Sequence, residues 1–143
     1  MKPTYFILSL IFFLTMISSI QAQTAESEVR ETVLAFAKGG DQQDVEALDA
    51  LLHDTYRVLW HDGQKAEAIV VDKETYLSKI RSKEWGGDKR TVNIEQVQIT
   101  DDANAVVKAI FIGDKADFHG YYSLINNDGT WQIVQDFVTA KFK

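Results

Sequence analysis

The sequence predicts an α+β fold in which helices near the amino terminus pack on a long antiparallel sheet. Two observations support this prediction. Between residues 25 and 81, apolar residues recur mainly at helical spacing, whereas from Lys89 onward they alternate with a period of two. Polar turns then divide the alternating region into four strands, and the Asp128-Gly129 dipeptide in the last turn is a strong hairpin signal.

The first 22 residues have the layout of a secretory signal peptide. Lys2 precedes an apolar run that begins at Tyr5 and ends at Leu14, and the small residue Ala22 precedes a polar region. The run is shorter than the roughly 20 residues that a membrane-spanning helix needs, although an uncleaved anchor is the alternative. We therefore expect a signal peptide of residues 1–22, a mature domain of residues 23–143, and export to the periplasm or out of the cell.

The composition excludes several classes of function. The chain carries 21 acidic and 15 basic residues, and its formal net charge of −6 argues against nucleic acid or an anionic membrane as partner. The absence of cysteine excludes disulfides, thiol catalysis and cysteine metal sites. These features predict a soluble domain with no membrane partner after signal cleavage.

Three helices are predicted before the sheet. The first covers residues 25–38 and ends at Gly39-Gly40, and the second covers residues 44–52. The third begins after Asp72, a good N-cap residue, and ends before Gly86-Gly87.

A short strand is predicted between the second and third helices, over residues 56–61. Its alternation places Tyr56 and Trp60 on one face and His61 on the other. His53 and Asp54 would then end the preceding helix, where a histidine lies near the negative pole of the helix.

The four later strands are predicted at residues 90–100, 104–113, 116–126 and 130–142. A change of phase in the first of them predicts a β-bulge near Glu95-Gln96, which would bend the strand. In the second, apolar residues occupy both phases, so we expect that part of this strand is covered on both faces. A sheet that bends around the helices would form a cone with an open end.

This order of elements resembles the nuclear transport factor 2-like superfamily, also called SnoaL-like or cystatin-like. Three stretches are similar in particular to its putative lumazine-binding branch: ALDALLHDTYRVL at 47–59, DKETYLSKIR at 72–81 and HGYYSLINNDGTWQIVQDFVT at 119–139. The segment 128–134 is the most specific, because a hairpin turn, a tryptophan and alternating aliphatic residues occur together.

The resemblance implies a conical pocket between the helices and the concave sheet face, and dimerisation through the outer sheet face. Catalytic members of the superfamily include isomerases, cyclases and dehydratases, which use a carboxylate or a histidine in that pocket. In the steroid isomerase relatives the base is an aspartate near the end of the short strand. Trp60 occupies that position here, and His61 is displaced by one residue, which reverses the face.

The three histidines do not predict a metal site, because His53 and His61 lie eight residues apart and no zinc-binding spacing is present. We expect neither a metal nor a cofactor. Histidine is the residue type best suited to acid/base chemistry near neutral pH, so His61 is one catalytic candidate. Asp136 lies in an apolar segment and is the other catalytic candidate. It would be functional if it faced inward, but the sequence favours an outward, solvated or interface position.

Ligand contacts are predicted from aromatic and histidine side chains. Tyr56 and Trp60 would form a pocket wall, or else ordinary core, and Trp85 before two glycines would act as a lid or as packed core. His119 and Tyr121 share a face and are placed at the mouth of the cone.

Three functions remain open at this point. The first is an exported protein that binds a small hydrophobic or aromatic ligand in an apolar conical pocket. The second is a cofactor-free acid/base enzyme of the isomerase or dehydratase type that uses His61 or Asp136. The third is a homodimer or other interaction module, which predicts a filled cone and apolar outward residues on the last two strands.

Overall fold

The structure is a computed structural model that describes residues 4–63, 65 and 67–143, with side chains from residue 23 onward. The elements, in chain order, are α1 Thr4–Gln42, α2 Val45–Leu51, β1 Leu52–Asp62, β2 Ala68–Asp72, α3 Lys73–Arg81, β3 Thr91–Thr100, β4 Asn104–Ile112, β5 Ala116–Asn127 and β6 Thr130–Phe142. Within these residues, no helix is both long and apolar enough to cross a membrane. The predicted signal peptide lies outside the described residues at positions 1–3, and its cleavage stays a prediction.

The six strands form one sheet in the order β2-β1-β6-β5-β4-β3. All neighbouring strands are antiparallel except β1 and β6, which run parallel. The predicted α+β cone is therefore confirmed, with three helices on the concave face of a sheet that contains one parallel pair. That pair joins strands about 80 residues apart, so no local turn signal could have predicted it.

The sequence predicted that the first helix ends at Gly39-Gly40. Helix α1 instead continues to Gln42. The two glycines are needed for close packing rather than for a helix end. A Cβ on Gly39 would lie 3.0 Å from the Leu48 side chain, and one on Gly40 would lie 2.7 Å from an Arg90 nitrogen. The chain turns instead at Gln43, whose φ of 54° is in the left-handed region.

The region around β1 also differs from the prediction. Strand β1 begins at Leu52, so His53 and Asp54 belong to a strand and do not end a helix. The His53 ring forms a hydrogen bond with the nearby Thr55 hydroxyl, and the distance between Nδ1 and Oγ1 is 2.8 Å. Strand β2 was not predicted, because its apolar residues form a continuous short run without alternation.

The four later strands agree closely with the prediction. Their ends lie within two residues of the predicted ones, and the predicted bulge is confirmed by a register shift between Ile94 and Gln96. Helix α3 begins at the predicted N-cap, where the Asp72 carboxylate accepts a hydrogen bond of 2.9 Å from the Thr75 amide. Part of β4 was expected to be covered on both faces. On its outer face Ile110 is partly buried, whereas Val106 is 43% exposed.

The core lies between the helices and the concave face of the sheet. All three helices contribute to it. The inner strands contribute alternate residues, the edge strand β2 contributes Val71, and partly buried residues of the edge strand β3 pack against it. The fully buried side chains include Val29, Val33, Leu48, Leu52, Ile80, Val107, Leu124 and Ile133. Two acidic residues are also buried: Asp62 at the end of β1, and Asp136, which lies among aromatic groups.

Candidate functional site

Asp136 is buried on the concave face of β6 and only 3% exposed. Its neighbours in the sheet are Val58 on β1 and Tyr122 on β5. The Tyr56 hydroxyl donates a hydrogen bond of 2.9 Å to Asp136 Oδ2. This carboxylate therefore joins two strands from opposite halves of the sequence.

The expectation that Asp136 faces outward is wrong, and the reason is a phase change in β6. Trp131 and Ile133 face inward at odd positions, but the inward residues beyond them are Asp136 and Val138, at even positions. The pairing with β5 omits Val134, because Leu124 is opposite Ile133 and Ser123 is opposite Gln135. One extra residue thus reverses the face of everything that follows.

The second carboxylate oxygen of Asp136 has no hydrogen-bond partner among the described residues, and it is out of reach of solvent. Burial raises the pKa of Asp136 to about 7, although the hydrogen bond from Tyr56 and the charge of Arg90 both act to lower it. A carboxyl group with a pKa near 7 can exchange a proton with a bound molecule at neutral pH. It can also accept a hydrogen bond through the open oxygen.

Aromatic rings surround this carboxylate and fill the interior of the cone. Tyr56 and Tyr76 meet edge to face at 5.4 Å, and Tyr122 stacks on Phe111 at 5.0 Å. Phe36 from α1 contacts both Tyr76 and Tyr122. Burial and the Asp136 charge raise the pKa of all three tyrosines, so their hydroxyls stay protonated at neutral pH. The predicted conical cavity is therefore occupied by side chains in this conformation.

Trp85 covers this aromatic cluster from the segment after α3. Its ring is half-buried and lies edge-on to Tyr76 at 5.9 Å, with Lys79 Nζ 5.2 Å from its centroid. Two contacts attach the segment to the turn after α1: Gln43 Nε2 donates to the Trp85 carbonyl at 2.9 Å, and the Gly87 amide donates to Gly40. Trp85 therefore packs on the edge of the aromatic cluster, and both expected roles, lid and packed core, stay open.

Trp60 faces the same side of the sheet as Asp136. It is opposite Val138 on β6, two residues beyond Asp136, and its ring lies 6.0 Å from that of Phe142. Trp60 is half-buried and Phe142 is 56% exposed, so this pair forms an apolar rim at the edge of the concave face.

His61, His119 and Tyr121 lie on the outer, convex face. His61 and His119 flank Thr139 from either side, and Tyr121 is opposite Phe137. The expected position of His119 and Tyr121 at the mouth of the cone is wrong. The alternate residues of β5 are the larger apolar set and take the core positions, which turns His119 and Tyr121 outward. The acid/base hypothesis consequently depends on Asp136 alone.

The outer face contains a shallow groove of about 290 Å³ that includes His119 and Tyr121. The ion pair between Lys108 and Glu95, at 2.9 Å, lies beside it, and Phe137 forms part of its wall. A second depression of about 320 Å³ lies on α3 and is lined by polar side chains. Asp136 lines neither of them. In the part of the chain with described side chains, no cluster of three or more acidic or histidine residues is placed to hold a metal ion.

The sequence had not singled out Tyr76, Tyr122, Phe111 or Arg90 as parts of a site. Tyr76 and Tyr122 follow the apolar phase of their elements and therefore look like core residues. The one available signal was the presence of three tyrosines in the inward phases of β1, α3 and β5, because buried tyrosine hydroxyls require polar partners.

Helices packed on the concave face of a curved sheet are the arrangement of the nuclear transport factor 2-like class. Solved structures confirm the fold. A nuclear transport factor 2-like protein of unknown function from Silicibacter pomeroyi has a TM-score of 0.73 at 12% identity over 84% of this chain and 98% of its own. A nuclear transport factor 2-like protein from Cytophaga hutchinsonii has a TM-score of 0.65 at 20% identity, over 81% and 98%.

A ketosteroid isomerase-like protein from Erwinia carotovora atroseptica shares the fold as well, with a TM-score of 0.66 at 16% identity over 82% of this chain and 96% of its own. The sequence matches the family described as putative lumazine-binding over residues 24–137, and the chain belongs to that family. No curated protein matches the sequence.

Proposed function

We propose that this protein is an exported binding domain for a small, flat, mostly apolar ligand, which enters the cone and contacts Asp136 and Tyr56. Membership in the putative lumazine-binding family supports a ligand-binding domain, and lumazine is itself a flat heteroaromatic molecule. The layout of residues 1–22 supports export. In that case the mature chain begins at Gln23, which mass spectrometry of the intact protein would measure.

The open oxygen of Asp136 is the observation that carries the proposal. A buried polar group without a hydrogen bond costs roughly 1–3 kcal/mol, and more when it is charged. Such groups are rare in proteins, and strongly shifted carboxylates concentrate at functional sites. Aromatic side chains around one hydrogen-bonding group are also the usual lining of a small-molecule site.

The filled interior means that the ligand takes the place of side chains now present. Trp85 and Tyr76 are the candidates to move, because Trp85 is half-buried and belongs to a segment with two glycines at positive φ, Gly86 and Gly87. Binding then requires a minor open conformation, and the apparent affinity is reduced by the fraction of molecules that are open.

Titration of the protein with lumazine, followed by calorimetry and by tryptophan fluorescence, tests the proposal. We expect one saturable site per chain. Tyr56→Phe removes the hydrogen bond that holds Asp136, and we expect it to weaken binding by about ten-fold, which corresponds to about 1.4 kcal/mol. His119→Ala alters the outer groove and serves as the control, with unchanged affinity expected.

A loss of affinity in His119→Ala but not in Tyr56→Phe would place the ligand in the outer groove and contradict the cone as binding site. The thermal midpoint of each variant has to be measured in parallel, so that loss of binding is separated from loss of fold. If lumazine binds to none of the three proteins, the proposed ligand class is wrong.

A second proposal concerns the partner. Most of the large hydrophobic residues that are exposed in the described structure lie on the outer sheet face, and β6 and β5 contribute Phe137, 50% exposed, and Tyr121, 47% exposed. Val70 on β2 and Val106 and Ile112 on β4 are exposed on the same face, beside the Lys108–Glu95 ion pair. Exposed apolar residues collected on one face, with polar residues among them, are typical of an interface. The filled cone and these outward residues support a homodimer through the outer face.

Phe137→Glu should convert the dimer to a monomer in sedimentation equilibrium, because the substitution buries a charge beside Tyr121 in the proposed interface. Leu34→Glu is the matched control. Leu34 is 45% exposed but lies on α1, away from the sheet face, and its replacement should leave the dimer intact. A monomeric parent protein, or equal dissociation in both variants, would contradict this interface.

A further inference from the structure

We infer that the ligand of the cone presents an N–H hydrogen-bond donor to Oδ1 of Asp136, which selects N–H-bearing flat heterocycles over pure hydrocarbons and over anions. This inference rests on the proposed ligand-binding function and names the chemical class that the same site recognises. The hydrogen-bonding groups around Asp136 support it.

No donor among the described residues forms a hydrogen bond with Oδ1 of the carboxylate. The Tyr56 hydroxyl has one proton, and it is donated to Asp136 Oδ2. Arg90 donates from Nε to the Asp41 carboxylate and from Nη2 to the Ala37 carbonyl, at 2.8 Å. Oδ1 of Asp136 is therefore a buried polar atom without a partner among the described residues, and in the ionised carboxylate it is an acceptor.

The surroundings of Oδ1 determine the rest of the ligand. The rings of Tyr56, Tyr76 and Tyr122 surround the carboxylate, and their faces suit a flat aromatic partner in stacked or edge-on contact. A donor from the ligand would satisfy the open oxygen and favour the ionised carboxylate, whereas an anion would be repelled by it. A ligand without a donor would leave the buried oxygen unpaired.

The test compares lumazine with 1,3-dimethyllumazine, which has the same ring system but carries methyl groups in place of both N–H groups. At pH 7 we expect the protein to bind lumazine at least about ten-fold more tightly, because a hydrogen bond to a charged group contributes about 1.5–3 kcal/mol. Calorimetric titration of both compounds measures the ratio of dissociation constants.

Asp136→Asn removes the acceptor but keeps the shape. The Tyr56 hydroxyl can donate only to the amide oxygen of the new side chain, which leaves the amide N–H₂ at the former position of Oδ1. A donor then faces the ligand, so we expect the preference for lumazine to fall to about one. His119→Ala is the control, because His119 lies in the outer groove and not in the aromatic cluster, and the preference should persist.

The possible outcomes separate the two proposals. Equal binding of both compounds by the parent protein would overturn the donor inference while binding in the cone still stands. If Asp136→Asn still prefers lumazine over 1,3-dimethyllumazine, the methyl groups weaken binding through their size and not through the lost N–H groups. That result would also overturn the inference. Failure of the parent protein to bind either compound would overturn the proposed function, and the inference with it.

Discussion

The effect of Asp136→Asn on the free energy of unfolding should depend on pH. The change should be more stabilising at pH 8 than at pH 5, and the difference between the two effects should be about 3 kcal/mol. The pKa of Asp136 is raised by burial to about 7 in the folded protein, from an ordinary value of 3.8. Between these two values the unfolded chain releases the proton and the folded chain keeps it. The wild-type protein therefore loses stability as the pH rises through this window, by about 1.4 kcal/mol per pH unit.

The asparagine side chain does not titrate, so the variant lacks this loss. Between pH 5 and pH 7 the wild-type protein loses about 1.4 kcal/mol per pH unit over two units, which gives the expected difference of about 3 kcal/mol. Urea denaturation of both proteins at pH 5 and at pH 8 measures it, because the contributions of all other groups cancel in the comparison.

Asp72→Asn provides a control with the opposite kind of shift. Hydrogen bonds from Thr75 lower the pKa of Asp72, so this carboxylate is ionised in both the folded and unfolded states above pH 5. Its replacement should change the stability equally at pH 5 and pH 8. The account of Asp136 is wrong if Asp136→Asn also has the same effect at both pH values.

Arg90→Met should lower the free energy of unfolding by about 3 kcal/mol, since removal of one partner from a largely buried ion pair leaves the other charge uncompensated. The side chains of Arg90 and Asp41 are only 12% and 19% exposed. The guanidinium also lies over the rings of Phe111, at 5.2 Å, and Phe118. Together with its bond to Ala37, these contacts join the end of α1 to the start of β3.

Urea denaturation at pH 7 measures the loss. Arg81→Met is the matched control, because Arg81 is exposed at the end of α3, and its replacement should change the stability by no more than about 0.5 kcal/mol. A loss below about 1 kcal/mol for Arg90→Met would mean that the ion pair does not hold the two elements together.

Local signals in the sequence were sufficient for most elements of the fold. Alternation, polar turns and the Asp128-Gly129 hairpin predicted the last four strands to within two residues. The N-cap at Asp72 predicted the start of α3. In contrast, the parallel pairing of β1 with β6 depends on tertiary contacts between distant segments, and no local pattern encodes it.

The candidate site was predicted only in part. Tyr56 and Trp60 do lie on the concave face, as alternation indicated, and Trp85 does lie over the aromatic cluster. The face of Asp136 was wrong because one extra residue, Val134, reverses the phase of β6 without any glycine or turn residue to mark it. For His119, alternation separated it from Phe118, Tyr122 and Leu124, but only the assembled core shows that these three residues are the ones that face the helices.

The most direct test of the central claim is a crystal structure of the protein with bound lumazine. We expect Trp85 to be displaced from Tyr76, and a ligand nitrogen to lie at hydrogen-bonding distance, about 3 Å, from Asp136 Oδ1. A ligand bound in the outer groove beside His119 and Tyr121, with Trp85 and the aromatic cluster unchanged, would contradict the claim that the cone is the binding site.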